Sequence, residues 1–304
     1  MRGLADAALL AVVAVGSVIS VPVLVRANWP RRSPAAAIAL WQALGLAGGT
    51  AAVGALLAIA LPRGLSATRV LEIVGRHSSM LLTGIRLLSL VAGLALFALL
   101  CWVLAAATVT VIYARRRQLA LLALLAHGDP KVPGALVLDH PAAAAYCVPG
   151  LRSKIVVSAG ALELLGDAEL AAVLAHERAH LRERHDLVLL PFTALRRAFP
   201  RSNACTEAYR EVALLVEMLA DDRALRARPA RELVSALVRV GTSGAGGSGL
   251  ASVGTLAAAS SDCEVTARVN RLLGPRHPLP AAAVAGIFLG SALLAAAPAA
   301  LLLI

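Results

Sequence analysis

The segment Ala175-His176-Glu177-Arg178-Ala179-His180 reads H-E-x-x-H within a stretch of helical periodicity. On an α-helix His176 and His180 lie one turn apart on the same face, so both imidazoles can bind one zinc ion. Glu177 lies about 100° around that helix, where a carboxylate can take a proton from a water molecule at the metal. The motif therefore predicts a catalytic zinc centre with two histidine ligands and a glutamate base.

The segment Glu217-Met218-Leu219-Ala220-Asp221 supplies the missing ligand, because a catalytic zinc needs three protein ligands and one open position. Glu217 and Asp221 are four residues apart and share one helical face, so one carboxylate can bind zinc while the other holds the N–H of a histidine ligand. Glu217 is favoured as the ligand. The alternative hypothesis is that Glu217, Asp221 and Asp222 are solvated and pair with Arg223 and Arg226.

Four long apolar runs indicate a membrane protein. The chain is 59% hydrophobic, and residues 7–25, 35–61, 87–113 and 279–304 contain no charged side chain. Each run approaches or exceeds the roughly 20 residues that a helix needs to cross the bilayer core. We predict a membrane region at residues 1–113 with three spans, a soluble domain at 114–278, and a fourth span at 279–304.

The positive charge of the chain predicts its orientation. The net charge is +11, and arginines cluster beside the spans, as in residues 26–32 and 115–117. Such clusters mark the cytoplasmic side of a bacterial inner membrane and do not indicate direct nucleic-acid binding. The predicted topology places both termini outside and residues 114–278 in the cytoplasm. Residues 62–86 would form a short helix in the outer interface.

The soluble domain is predicted to be α+β and mostly helical, inserted in the four-helix membrane bundle. A short helix is expected at 118–127, strands at 135–139, 143–148 and 154–158, and longer helices at 168–184 and 206–227. Asp167 would cap the first long helix, and the glycine-rich residues 241–249 would be a linker or a flap. Gly45-x-x-x-Gly49 is consistent with a homodimer or, more commonly, with close packing inside the bundle.

The combined motifs resemble the BlaR/MecR family of integral-membrane zinc metallopeptidases, which are gluzincins. The resemblance rests on 175–186, 217–223, Cys147-Val148-Pro149-Gly150 and 268–273. It implies a gluzincin-like zincin fold with one zinc per chain. By this resemblance His176, His180 and Glu217 would be the zinc ligands and Glu177 would be the general base. Asp221 would hold the N–H of a histidine ligand. It also implies that the strand Tyr146, Cys147, Val148 is the edge on which substrate docks.

Two departures from this family keep other functions open. No Ser-x-x-Lys occurs in the chain, so the expectation is a short form without the penicillin-binding sensor domain. The third histidine, His185, resembles instead the H-E-x-x-H-x-x-x-x-H pattern of HtpX/Oma-type proteases. The favoured function is regulated proteolysis of a BlaI/MecI-like winged-helix repressor. The alternatives are membrane-protein quality control and a non-catalytic signal transducer.

The sequence leaves the donor for the tetrahedral oxyanion open. The nominees are His185, Tyr209 and Arg223, and no sequence feature selects among them. An equally weighted alternative makes His185 and Asp186 a surface pair at the end of the active-site helix.

Overall fold

The computed structural model describes residues 2–61, 80–129, 132–150, 153–242, 262–275 and 277–303. Its helices are α1 (Arg2–Arg26), α2 (Trp29–Arg32), α3 (Pro34–Ala60), α4 (Met80–Leu125), α5 (Ala159–Leu164), α6 (Asp167–Arg182), α7 (His185–Ala198), α8 (Asn203–Ala224), α9 (Ala230–Thr242), α10 (Asp262–Leu273) and α11 (Ala281–Leu303). Its strands are β1 (Ala126–Gly128), β2 (Ala135–Leu138), β3 (Ala145–Val148) and β4 (Lys154–Ser158). The predicted mostly helical chain with a small sheet is confirmed. Residues 62–79 of the predicted interfacial helix and most of the glycine-rich segment lie outside the described residues, whereas residues 80–86 are the first residues of α4.

Within the described residues, four helices are long and apolar enough to cross a membrane: α1, α3, α4 and α11. They correspond to the four predicted spans. α3 is the centre of this group, because α1, α4 and α11 all pack against it. Large apolar side chains of α4 remain exposed, among them Trp102 at 72% and Leu94 at 54%. Such a surface suits the hydrocarbon of a bilayer.

The third span continues far beyond its apolar segment. α4 is one uninterrupted helix of 46 residues, about 69 Å long at 1.5 Å per residue. The prediction of a separate short helix at 118–127 is therefore wrong. Residues 115–117 are arginines, which are good helix formers, and no glycine or proline follows Gly93 before the helix ends. α4 thus carries the chain from the membrane directly to the sheet.

The four strands form one sheet in the order β1-β2-β4-β3. β2 and β4 are parallel, whereas β1 and β3 run antiparallel to their neighbours. One face packs against α6 and α9. On the other face Leu122 of α4 contacts Val148 and Val156. β1 escaped prediction because its three residues, Ala-His-Gly, carry no strand pattern. β3 is an edge strand.

The ends of the two site helices differ slightly from prediction. α6 begins at Asp167, so the N-cap is Gly166 and not Asp167. The Glu169 carboxylate accepts a hydrogen bond from the Gly166 N–H at 2.9 Å, which satisfies one of the free donors of the first turn. α8 begins after Ser202, whose hydroxyl accepts from the Cys205 N–H. Both helices still place their predicted site residues, four positions apart, on one helical face.

Helices α7 and α8 pack directly against α1 and α3, the first two of the long apolar helices. A buried apolar cluster joins Ile38 and Trp41 of α3 to Phe192 of α7 and Val212 of α8. The side-chain amide of Gln42, also in α3, donates to the Val188 carbonyl at 2.7 Å. Within the bundle Gly49 faces Leu100 of α4, while Gly45 faces open space. The helices that carry the site are therefore anchored to the membrane region.

Candidate metal centre

Three side chains from two helices converge on one point. His176, His180 and Glu217 each offer a ligand atom, and these atoms lie within 4.8 Å of one another. The two histidine Nε2 atoms are 3.0 Å apart. The Glu217 carboxylate lies 3.3 Å from His176 Nε2 and 3.5 Å from His180 Nε2. Two imidazoles and one carboxylate are a typical donor set for a catalytic zinc ion.

Helix geometry explains this convergence. His176 and His180 lie on the buried face of α6 and are 1% and 3% exposed. α8 packs along the same face of α6 and brings Glu217 opposite the two rings. Because the spacing within each helix is four residues, each helix presents its pair on one side. The centre therefore depends on the packing of α6 against α8.

Asp221 stands behind one of the histidines. Its Oδ1 lies 3.0 Å from His176 Nδ1, on the ring edge opposite the metal side. A carboxylate in this position orients the ring and keeps the proton on Nδ1. The sequence-based partner role of Asp221 fits this placement.

Arg268 is a buried residue of the candidate site that the sequence-based assignment of site residues did not include. It is 5% exposed, and it donates two hydrogen bonds to Asp221 at 2.9 and 2.6 Å. Its Nη1 lies 3.0 Å from Glu217 Oε2. Arg271, which is also on α10, donates two hydrogen bonds to the carboxylate of Asp222. The alternative in which these carboxylates pair with Arg223 and Arg226 is therefore wrong.

A general signal for Arg268 did exist in the sequence. Two buried carboxylates, Glu177 and Asp221, together with the partly buried carboxylate of Glu217, require a compensating cation. Which arginine supplies it was not predictable, because Arg268 and Asp221 are 47 residues apart in sequence.

Glu177 is fully buried and forms no ion pair among the described residues, and the Cys147 thiol is a hydrogen-bonding neighbour of its carboxylate. Burial, followed by the negative charge of Glu217, raises its pKa to about 7. The Cys147 thiol of β3 lies beside it, and burial together with the Glu177 charge raises the pKa of that thiol. An unpaired buried carboxylate with a pKa near neutrality is suited to accepting and returning a proton.

The two histidines differ in their affinity for protons. Burial lowers the pKa of His180 to about 3. Burial alone would also lower the pKa of His176, but its contacts with Asp221 and Glu217 raise it to about 9. Burial would raise the pKa values of Glu217 and Asp221, but neighbouring positive charge, including that of Arg268, lowers both. The two carboxylates are therefore ionised at neutral pH.

The structure does not bring the three nominated oxyanion donors to the metal side. His185 is 2% exposed, so the surface-pair alternative is wrong. Its Nδ1 lies 2.9 Å from Nδ1 of His180, behind that ring. Tyr209 packs in the apolar cluster with Trp41, under Arg196, about 12 Å along α8 from Glu217. Arg223 pairs with Glu183.

The edge strand β3 offers free backbone groups. The Ser158 N–H donates to the Ala144 carbonyl at 2.8 Å, and pairing continues with Tyr146 opposite Val156. Because hydrogen-bonded and non-hydrogen-bonded pairs alternate in an antiparallel ladder, the backbone groups of Ala145 and Cys147 point away from β4. Both residues are buried, so these groups are not open to solvent. The Cys147 side chain lies near Glu177, so this free edge borders the site.

Comparison with known proteins agrees with the chemistry of the site. The sequence model of Peptidase family M48 matches residues 87–225. The matched part runs from α4 to the end of α8 and includes both histidines, Glu177, Glu217 and Asp221, but not Arg268. No curated protein and no solved structure matches the chain. The match supports a membrane-type zinc metallopeptidase, and it does not single out the BlaR/MecR antirepressors.

Proposed function

We propose that this protein is a membrane-embedded zinc endopeptidase that acts on the cytoplasmic side. The observation that carries the proposal is the convergence of His176, His180 and Glu217 beside the unpaired carboxylate of Glu177. A structural zinc site would have four protein ligands and no use for a buried glutamate without an ion pair. This arrangement supports hydrolysis.

Each residue of the candidate site has its own role in the proposed hydrolysis. When bound, zinc would polarise the substrate carbonyl and the attacking water. A Glu177 carboxylate oxygen takes the proton of that water and then returns it to the leaving amine. Asp221 holds the His176 ring, and Arg268 keeps Asp221 and Glu217 charged and oriented. The backbone N–H and carbonyl groups of Ala145 and Cys147, which β4 leaves unused and which are buried in this structure, would hold an extended substrate as an added strand once they are exposed.

The favoured substrate is a winged-helix repressor of the BlaI/MecI type. Its support is the resemblance of residues 175–186 and 217–223 to the antirepressor peptidases. A membrane-protein quality-control role of the HtpX type is the second candidate, and the burial of His185 against His180 favours it, since a third histidine belongs to that pattern.

A reconstitution experiment tests the peptidase proposal. The purified full chain should cleave an unfolded protein such as casein. A zinc chelator should abolish cleavage, and added zinc should restore it. No cleavage by the zinc-loaded chain would favour the non-catalytic transducer. Co-expression with a candidate repressor or with a misfolded membrane protein then separates the two substrates, using Glu177→Gln as the inactive control.

Cysteine labelling tests the proposed orientation. In a background that retains only Cys263, which is exposed on α10, an impermeant thiol reagent should label the protein only after the cells are opened. With Cys263 also replaced, Leu61→Cys, at a position 50% exposed at the end of α3, should be labelled on intact cells. The reverse pattern would place the peptidase outside and make envelope proteins its substrates.

A further inference from the structure

The two nitrogens of His180 face different surroundings. Nε2 lies 3.0 Å from His176 Nε2 and 3.5 Å from Glu217 Oε1, which is the metal side. Nδ1 lies 2.9 Å from Nδ1 of His185. Both rings are buried, so no water competes for this contact. His180 is thus held from behind by a second imidazole.

The other histidine ligand is held differently. His176 Nδ1 lies 3.0 Å from the carboxylate of Asp221, which is a common partner for a zinc-binding histidine. His185 takes the equivalent place behind His180. An imidazole can serve there only if its facing nitrogen carries no proton and accepts.

The local backbone places His185 in this position. α6 ends at Arg182 and α7 begins at His185, and between them Arg184 adopts a left-handed conformation with φ 50° and ψ 46°. This sharp turn folds the first residue of α7 back towards α6. The next residue, Asp186, is fixed by Arg115 of α4 at 2.6 Å. The start of α7 is therefore held in place by the turn at Arg184 and by the ion pair of Asp186 with Arg115.

We propose that His185 is a positioning residue that fixes the ring orientation and the tautomer of His180. The proposal rests on the proposed function in one respect, namely that His180 Nε2 binds the metal. The proton of His180 then resides on Nδ1 and is donated to Nδ1 of His185. The proton of His185 resides on Nε2, which lies 3.5 Å from Glu183 Oε2. Glu183 is held in turn by its ion pair with Arg223.

This chain of contacts gives a role to His185, Glu183 and Arg223, which the hydrolytic mechanism does not use. His185 touches neither substrate nor metal, and Glu183 and Arg223 act through it. Because His180 would be oriented by a neutral group, no fourth carboxylate is added to a site that already holds Glu177, Glu217 and Asp221. The same geometry argues against His185 as an oxyanion donor, since its ring lies behind the ligand.

Zinc affinity of two matched variants of the full chain in detergent tests the proposal. In His185→Asn the amide oxygen can occupy the place of Nδ1, whereas in His185→Gln it reaches the place of Nε2. Competition with a chromophoric chelator should show near-wild-type affinity for His185→Asn and an affinity about 10–100-fold weaker for His185→Gln. His185→Leu, which has no acceptor, should resemble His185→Gln.

Two results would overturn the proposal, and a third would instead contradict the proposed function. Equal zinc affinities for the Asn and Gln variants would overturn it, whatever their turnover. Reduced turnover in both with wild-type zinc affinity would also overturn it and assign His185 to the oxyanion. A wild-type chain that binds no zinc would instead contradict the proposed function. Thermal unfolding of the zinc-free proteins provides the folding control, and only variants that unfold like wild type are compared.

Discussion

The two sides of the candidate site are built in opposite ways. On the side of α8 and α10, Glu217 and Asp221 are charged and paired with Arg268. On the side of β3, Glu177 is buried and has no ion-pair partner among the described residues, and its polar neighbour is the Cys147 thiol. An ion pair stabilises the charged form of a carboxylate and lowers its pKa, whereas burial without an ion pair raises the pKa and makes protonation easier. We infer that the paired side holds the metal and the unpaired side moves the proton.

The largest expected effect comes from neutralising the unpaired side. Glu177→Gln keeps size and polarity but removes the base, so peptide cleavage should fall by about 10²–10⁴-fold. Zinc content should not change, because the paired side is intact. Rates with a peptide substrate and metal analysis check both points, and Glu163→Gln, an exposed glutamate of α5, is the matched control. Unchanged turnover would exclude Glu177 as the base, and an unchanged cellular phenotype despite lost turnover would point to a transducer.

Breaking the paired side should have a different signature. Arg268→Met leaves Asp221 buried without its cation, which costs about 3–5 kcal/mol of folding free energy. Chemical unfolding of the metal-free protein in detergent measures this loss, and zinc affinity should fall with it because Glu217 is released. If Arg268→Met were as stable as wild type and kept its zinc, the paired side would not depend on the ion pair.

The pH dependence of the cleavage rate tests the pKa of Glu177 without any mutation. The pKa of Glu177 is raised to about 7, and its deprotonated form is the base. Cleavage should therefore be constant above this pKa and fall about tenfold per pH unit below it. Bound zinc, as a nearby cation, would move this decline in rate to lower pH, but the decline should still lie above the ordinary carboxyl pKa. A rate that stays flat down to about pH 5, at full zinc content, would show that Glu177 has an ordinary carboxyl pKa.

The smallest effect is expected one helical turn from Arg268. Arg271 pairs with Asp222, whose side chain is 34% exposed, so solvent screens the pair and it contributes about 0.2–1 kcal/mol. Arg271→Met should therefore lower the unfolding free energy far less than Arg268→Met and leave zinc binding intact. Equal losses from the two variants would show that α10 is clamped as a unit and that burial of the pair is not decisive.

The parts of the site that were predictable from sequence are those set within one helix. His176 and His180, like Glu217 and Asp221, are four residues apart, and helical periodicity fixes their common face. Arg268 reaches the site through tertiary packing, which no local pattern encodes. The burial of His185 depends on a left-handed residue that is an arginine and not the usual glycine. The spans were predictable because their apolar length is a local property. The continuity of α4 was missed because charged residues were taken to end the helix.

Metal analysis of the purified chain tests the central claim most directly, namely that His176, His180 and Glu217 bind one catalytic zinc. The wild-type protein should contain about one zinc per chain, and Glu217→Ala should lose most of it. Glu207→Ala, which removes a carboxylate from the same helix away from the site, should keep the full amount. Full zinc in Glu217→Ala, or none in the wild-type chain, would contradict the account.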